Sequence, residues 1–165
     1  MRKLLNGFSS QFQQSLYTVF ITVTNSATSY TNGQCFGPML TLTNVARAGI
    51  SPVLSGITLC KTNGTTPFFD FLFFSEYPSN GIYGDTTNVI TRTDFTNLSA
   101  CVSMSDYTNY HNWTSNSMAT FWSLPDAPIT LRGTNTTRQM AIVFKGPSIT
   151  ETNTNSFMIQ LDFLK

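Results

Sequence analysis

The stretch Val53–Ser75, VLSGITLCKTNGTTPFFDFLFFS, sets two apolar runs on either side of a polar turn. In the first run Ile57 and Leu59 face one way while Thr58 and Cys60 face the other, which is the period of a β-strand. Thr62-Asn63-Gly64-Thr65-Thr66-Pro67 then offers the Asn/Gly chemistry of a short reversal, so the stretch is expected to form the central hairpin of an all-β domain. The second run departs from ordinary alternation. Phe69, Phe71 and Phe73 share one face, Phe68, Leu72 and Phe74 share the other, and only Asp70 interrupts them. A half-solvated antiparallel strand alternates apolar with polar residues. This strand therefore needs cover on both faces, from another segment of the chain or from a partner molecule.

Working outward, the same alternation marks further strands. Tyr17, Val19, Ile21 and Val23 alternate with Thr18, Phe20, Thr22 and Thr24, and Leu98 to Met104, Met140 to Lys145 and Phe157 to Phe163 repeat the pattern. Phe36 to Val45 reads as a strand interrupted early by Gly37-Pro38, the sign of an edge or a bend, and Ile129 to Arg132 as a short strand after a Pro125 to Pro128 turn. Glu76 to Asn97 and Asp106 to Thr120 read as long loops, and residues 1–15 as an N-terminal arm before a domain at 16–165. Asn44 to Gly49 is too short for a helix, and no helix of ten residues or more is expected. About eight strands without a repeat predict a two-sheet antiparallel β-sandwich of jelly-roll or Greek-key type.

Composition narrows the chemistry. Charged residues are 10% of the 165-residue chain, with Lys plus Arg at 9 and Asp plus Glu at 8, so no net field steers it to nucleic acid or an anionic membrane. No apolar run is long enough to span a bilayer, and Asn6-Gly7 with the following Gln/Ser stretch denies Met1-Arg2-Lys3-Leu4-Leu5 the core of a signal peptide. Cys35, Cys60 and Cys101 form no CxxC pair and read as small, buried free thiols, which suits a reducing cytoplasm. The sequons at Asn63, Asn97, Asn112 and Asn135 are the kind that arise by chance in a chain rich in Asn, Thr and Ser.

No catalytic constellation emerges, and no cofactor is expected. His111 is the single histidine and has no recognisable partner, and the carboxylates are widely spread. Asp85 with Asn88, or Asp106 with Asn109, has the residue types for calcium, but these read first as turn formers, so no metal site is predicted. Tyr107, Tyr110, Trp113, Phe121 and Trp122 form an aromatic set that either closes the end of the core or stacks on a sugar or a protein.

From Tyr30 to Phe74 the order of features resembles small tailed-bacteriophage virion proteins of the capsid decoration or auxiliary type. The residues that carry this are Tyr30-Thr31-Asn32-Gly33, Asn44-Val45-Ala46-Arg47-Ala48-Gly49, Gly56-Ile57-Thr58-Leu59, Phe71-Leu72-Phe73-Phe74 and Pro78. Gln34 stands where an acidic residue is common in that family, and an Asp-Asn pair after the proline appears only as Asp85-Thr86-Thr87-Asn88. The resemblance implies a capsid decoration (cement) subunit on the outer surface of the virion head. It would be assembled in the host bacterial cytoplasm, with the major capsid protein as partner and a homo-oligomer, a trimer, as its state. The contact set expected for it is Phe8, Phe12, Phe68, Leu72, Phe74, Tyr77, Tyr83, Tyr110 and Trp113, from the arm, the doubly apolar strand, the loop from Tyr77 to Asp94 and the aromatic loop. The competing class is a tail-fibre or carbohydrate-binding recognition module using Tyr110, Trp113 and Trp122.

Overall fold

The computed structural model describes residues 16–26, 28–61, 68–78, 83–86, 96–104, 110–113, 119–146, 148–150 and 157–164, with backbone alone at 61, 110–113, 119–127 and 149. Within them, period-2 alternation becomes eleven strands: β1 (Leu16–Val23), β2 (Ser29–Tyr30), β3 (Leu40–Leu42), β4 (Val53–Lys61), β5 (Phe68–Phe74), β6 (Leu98–Ser103), β7 (Tyr110–Trp113), β8 (Ala119–Thr130), β9 (Arg138–Lys145), β10 (Ile149–Thr150) and β11 (Phe157–Leu164). No helix among the described residues is long and apolar enough to cross a membrane.

The strands form one sheet in the order β1-β11-β4-β8-β7, a second in the order β3-β9-β5-β6, and a small ribbon of β2 with β10. Eight of them pair as a nested set. The first pairs with the last (β1 with β11), the second with the seventh (β3 with β9), the third with the sixth (β4 with β8) and the fourth with the fifth (β5 with β6), all antiparallel. Successive pairs alternate between the two sheets, and that wrapping is a jelly roll. β7 adds a fifth strand beyond β8.

This topology corrects the expected central hairpin. β4 pairs with β11 and β8 in one sheet, while β5 pairs with β9 and β6 in the other. β4 and β5 are therefore not the two arms of one hairpin, and residues 62–67, the expected reversal, lie outside the described set. A second correction concerns the prolines. Pro125 to Pro128 is no turn but part of β8: Leu54 pairs with Ile129 and Gly56 with Pro125, so three residues of β8 bulge opposite Ser55 alone. A bulge removes the need for a ladder N–H, which is where a sheet tolerates proline.

The core lies between the sheets. Phe69, Phe71 and Phe73 of β5 meet Phe157, Ile159, Leu161 and Phe163 of β11, with Phe36, Leu59 and Phe144 in the same cluster. Tyr17, Val19 and Ile21 pack against its margin, and Val23 is fully buried, so β1 turns its alternating apolar face inward as its pattern predicts.

The second face of β5 is covered by the chain itself. Leu72 and Phe74 pack with Cys35, Tyr83, Ala141 and Val143, flanked by Met39 and Leu98. The cover is held by backbone bonds. Phe36 N–H donates to the Ile142 carbonyl and Phe144 N–H to that of Gln34, each at 2.8 Å, which lays residues 34–36 along β9. Met39 N–H to the Tyr83 carbonyl (3.1 Å) and Thr86 N–H to that of Cys35 (2.9 Å) then clip 83–86 onto this strip. The strip bends at Gly37, where φ is +77° and a Cβ would stand 2.8 Å from Val23 Cγ1. No other residue fits that bend without strain.

Candidate functional site

With β5 covered from within, the apolar surface left on the described residues lies elsewhere. β1 is the outermost strand of the larger sheet, and along its register with β11 the outward row alternates Leu16, Thr18, Phe20 and Thr22 opposite Leu164, Asp162, Gln160 and Met158. Phe20 is 67% exposed, Leu16 65% and Met158 49%. Between Leu16 and Phe20 sits a small polar cluster. Thr18 Oγ1 donates to Asp162 Oδ1 at 2.7 Å, and Gln160 Nε2 donates to both carboxylate oxygens at 3.1–3.2 Å. Asp162 is the only charged residue in β1 and β11, and its charge is held by neighbours on the same face. The result is a weakly charged face with an apolar margin at the sheet edge. Apolar contact favours such a face, because it carries little desolvation cost.

A second built feature holds the cover over β5. The Asp85 carboxylate accepts hydrogen bonds from Ser26 N–H and hydroxyl, from the Tyr30 hydroxyl at 2.8 Å and from Gly37 N–H at 2.6 Å. It thereby ties residue 26, the ribbon strand β2 and the Gly37 bend to the segment carrying Tyr83. Burial pushes the Asp85 carboxyl up, but the bonds from Ser26, Tyr30 and Gly37 outweigh it and hold the group below the usual carboxylate range. Burial first, and then the neighbouring carboxylate, push the Tyr30 hydroxyl far above its ordinary value. Since the folded pKa of Asp85 is depressed, its stabilisation is present above the unfolded value of about 3.9 and is lost as pH falls through the folded one. Asp85→Asn keeps the shape but turns an amide NH2 toward backbone N–H donors. Urea unfolding at pH 7 should show a loss of about 1–3 kcal/mol, shrinking as pH falls below about 3.9 and through the lower folded value, where the wild-type carboxylate protonates. A difference that stays undiminished as the titration is carried to its acid end would contradict the charge-based account.

Of the expected contact residues, Tyr77 is 55% exposed and available. Leu72, Phe74 and Tyr83 are buried at 4% or less, and Phe74 and Tyr83 pack ring to ring at 5.3 Å, so in this fold they serve an internal cluster rather than a partner. Phe68 is half-buried against the main core. Phe8 and Phe12 lie outside the described residues, as does residue 94 at the far end of the expected loop contact. Tyr110 and Trp113 are placed by backbone only: Tyr110 pairs with Trp122, which pairs with Leu59, while Trp113 pairs with Ala119.

Leu16, Phe20, Ile50 and Met158 were not in the expected set. The signal for two of them is in the alternation. Phe20 stands among threonines on the polar side of β1, and Met158 shares a side with Gln160 and Asp162. Cys35 is buried as expected, but Cys60 is only half-buried and Cys101 is exposed, because both lie on outward sheet faces. Among the described residues no three His, Cys, Asp or Glu side chains converge as a metal site would need. Asp85, one of the calcium candidates, already accepts from the chain's own donors, and its partner residue 88 lies outside the described set.

No protein-family profile matches the chain, and no curated protein matches it. Among solved structures it is similar to a chain of the Israeli acute paralysis virus full particle heated to 63 degrees, at 13% identity and a TM-score of 0.33, covering 93% of this chain and 72% of that one. It is also similar to a chain of the infectious bursal disease virus Gx strain, at 13% identity and a TM-score of 0.33, covering 93% of this chain and 36% of that one. A chain of an IBDV viral particle gives 16% identity, a TM-score of 0.32 and coverage of 91% and 35%. Likeness this distant carries no functional weight.

Proposed function

We propose that this chain is a virion structural protein of the capsid decoration type, a jelly-roll subunit that docks on the outside of an assembled bacteriophage head and strengthens it. Its partner in this reading is the major capsid protein, and its location is the virion surface after assembly in the bacterial cytoplasm. The observation that supports this best is the outward face of β1 and β11, where Leu16, Phe20 and Met158 stand exposed on two strands whose one carboxylate, Asp162, is held by Thr18 and Gln160. Jelly rolls serve as capsid subunits, lectins and cupins. An uncharged apolar sheet margin is suited to permanent protein contact. The exposed Tyr77 begins the other expected contact, the loop after β5.

The test is the composition of purified particles. Mass spectrometry should find the chain in virions at a stoichiometry of one or more copies per capsomer, and surface biotinylation of intact particles should label it. Absence from particles, or labelling only after disruption, overturns the reading.

The recognition-module alternative rests on Tyr110, Trp113 and Trp122. The backbone register pairs Tyr110 with Trp122, and Trp122 with Leu59. Selective binding on a glycan array, abolished by Trp113→Ala, would replace the virion reading with that one.

A further inference from the structure

β1 is a sheet edge of unusual form. Among the described residues it pairs on one side only, with β11, through eight residues in unbroken register. Its sequence, LYTVFITV, has no charge, no proline and no glycine. Edge strands in monomers are ordinarily shortened, bent, bulged or charged, because a straight run of unpaired N–H and C=O groups templates another strand. The other edges here carry those devices. β7 has four residues, β3 has three and follows the Gly37 bend, and β6 carries a register shift against β5.

We propose that β1 pairs antiparallel with β1 of a second copy of this chain, joining the two larger sheets edge to edge across a two-fold axis at Thr18. The register follows from the side chains. Pairing must keep outward residues opposite outward residues, since a slip by one residue exchanges the faces of a strand. Among the allowed registers, the one centred on Thr18 sets Leu16 opposite the second copy's Phe20 twice over, and Thr18 opposite its own equivalent. Both exposed apolar side chains of β1 then gain apolar cross-strand partners, the pairing that stabilises sheets. Centring on Phe20 would leave Leu16 opposite Thr24 of the second copy.

The area sets the strength. In this register Leu16–Phe20 of each copy pair, a five-residue ribbon about 17 Å long, which by itself buries less than the roughly 800 Å² per partner of a standard stable interface. The pair is therefore concentration-dependent. Such an antiparallel edge pair closes at two copies, so it specifies a dimer where the decoration-protein resemblance implies a trimer.

Sedimentation velocity of the full chain over a hundredfold concentration range tests this, whether or not the chain is a virion subunit. The expected result is a monomer–dimer equilibrium that Phe20→Lys weakens at least tenfold, with an unchanged circular dichroism spectrum and unfolding midpoint. Thr18→Cys, oxidised, should trap a disulfide dimer that neither the wild type nor Phe20→Cys forms to the same extent. A strict monomer, a trimer, or a dimer indifferent to Phe20→Lys overturns the proposal, and preferential trapping by Phe20→Cys overturns the Thr18 register.

Discussion

Arg138→Met is expected to lower the free energy of unfolding by about 3–5 kcal/mol, the scale on which breaking a fully buried charged network acts. Arg138 opens β9 with no solvent exposure, and every one of its five guanidinium N–H groups is committed to a backbone carbonyl. Nε and one Nη donate to Leu131 at 3.3–3.4 Å, the same Nη to Gly133 at 2.9 Å, and the other Nη to Asn135 at 2.6 Å and Thr137 at 2.7 Å. Methionine matches the length but donates nothing, so four carbonyls of the 131–137 loop lose their partner together. Lysine brings three donors from a single point, so Arg138→Lys should recover only part of the loss. The loop fits closely around the guanidinium: at Gly133, where φ is +130°, a Cβ would stand 3.1 Å from Arg138 Cζ.

The damage should spread to the neighbouring loop. Gly49 N–H donates to the Thr134 carbonyl at 3.0 Å and Ala46 N–H to that of Thr136 at 3.3 Å, so residues 43–52 rest on the segment that Arg138 organises. Native-state hydrogen exchange should therefore show faster exchange at Gly49 and Ala46 in Arg138→Met, beyond what global destabilisation produces. Unchanged protection there, or a urea midpoint within error of wild type, would refute the network account.

None of this was readable from the sequence, because an arginine in a loop-to-strand junction looks the same whether it points to solvent or into carbonyls. The strands were readable where alternation is strong. Tyr17 to Thr24, Leu98 to Met104 and Phe157 to Phe163 were expected as strands and are observed as Leu16–Val23, Leu98–Ser103 and Phe157–Leu164. Alternation says that a strand exists but not which sheet takes it, and so β4 and β5 looked like a hairpin although they lie in opposite sheets. Pro125 and Pro128 hid the middle of β8, because a proline argues against a central strand unless a bulge absorbs it, and a bulge leaves no mark in one sequence. β2 and β10 are two residues each, too short for any period to show.

The proposed contact surface was half legible. The need to cover both faces of β5 was visible in Phe68 to Phe74, and the cover from residues 34–39 and 83–86 depends on long-range bonds that no local pattern encodes. The exposed row of β1 was visible too, as one phenylalanine among threonines, but beside the phenylalanine run of β5 it drew no notice.

Phe69→Ala is expected to cost about 4–5 kcal/mol, the upper part of the range for truncating a buried aromatic. The reason is position. Phe69 is fully buried in β5 and meets Phe36 at 5.1 Å, Phe157 at 5.0 Å, Phe144 at 6.1 Å and Phe71 at 6.4 Å between ring centroids. Phe157 belongs to β11 of the facing sheet, so this ring joins the two layers, and its removal leaves a cavity that flanking rings in fixed rotamers cannot fill. Edge-to-face contacts with Phe144 and Phe157 add about 0.5–1.5 kcal/mol each beyond area, and these go with it. For a chain of this size the loss corresponds to a fall in Tm of about 10–15 °C, enough to leave a marginal fold partly unfolded at 37 °C. Phe69→Leu retains most of the volume and should cost about 1–2 kcal/mol, which keeps a folded reference when the alanine variant fails. Phe69 faces the core while Phe20 faces outward from the other sheet. Phe69→Leu should therefore lower the urea midpoint without changing the dimer constant, and Phe20→Lys should do the reverse. If either variant moved both quantities in parallel, the separation of core from contact surface would be wrong, and the outward row of β1 would have to be regarded as part of the fold.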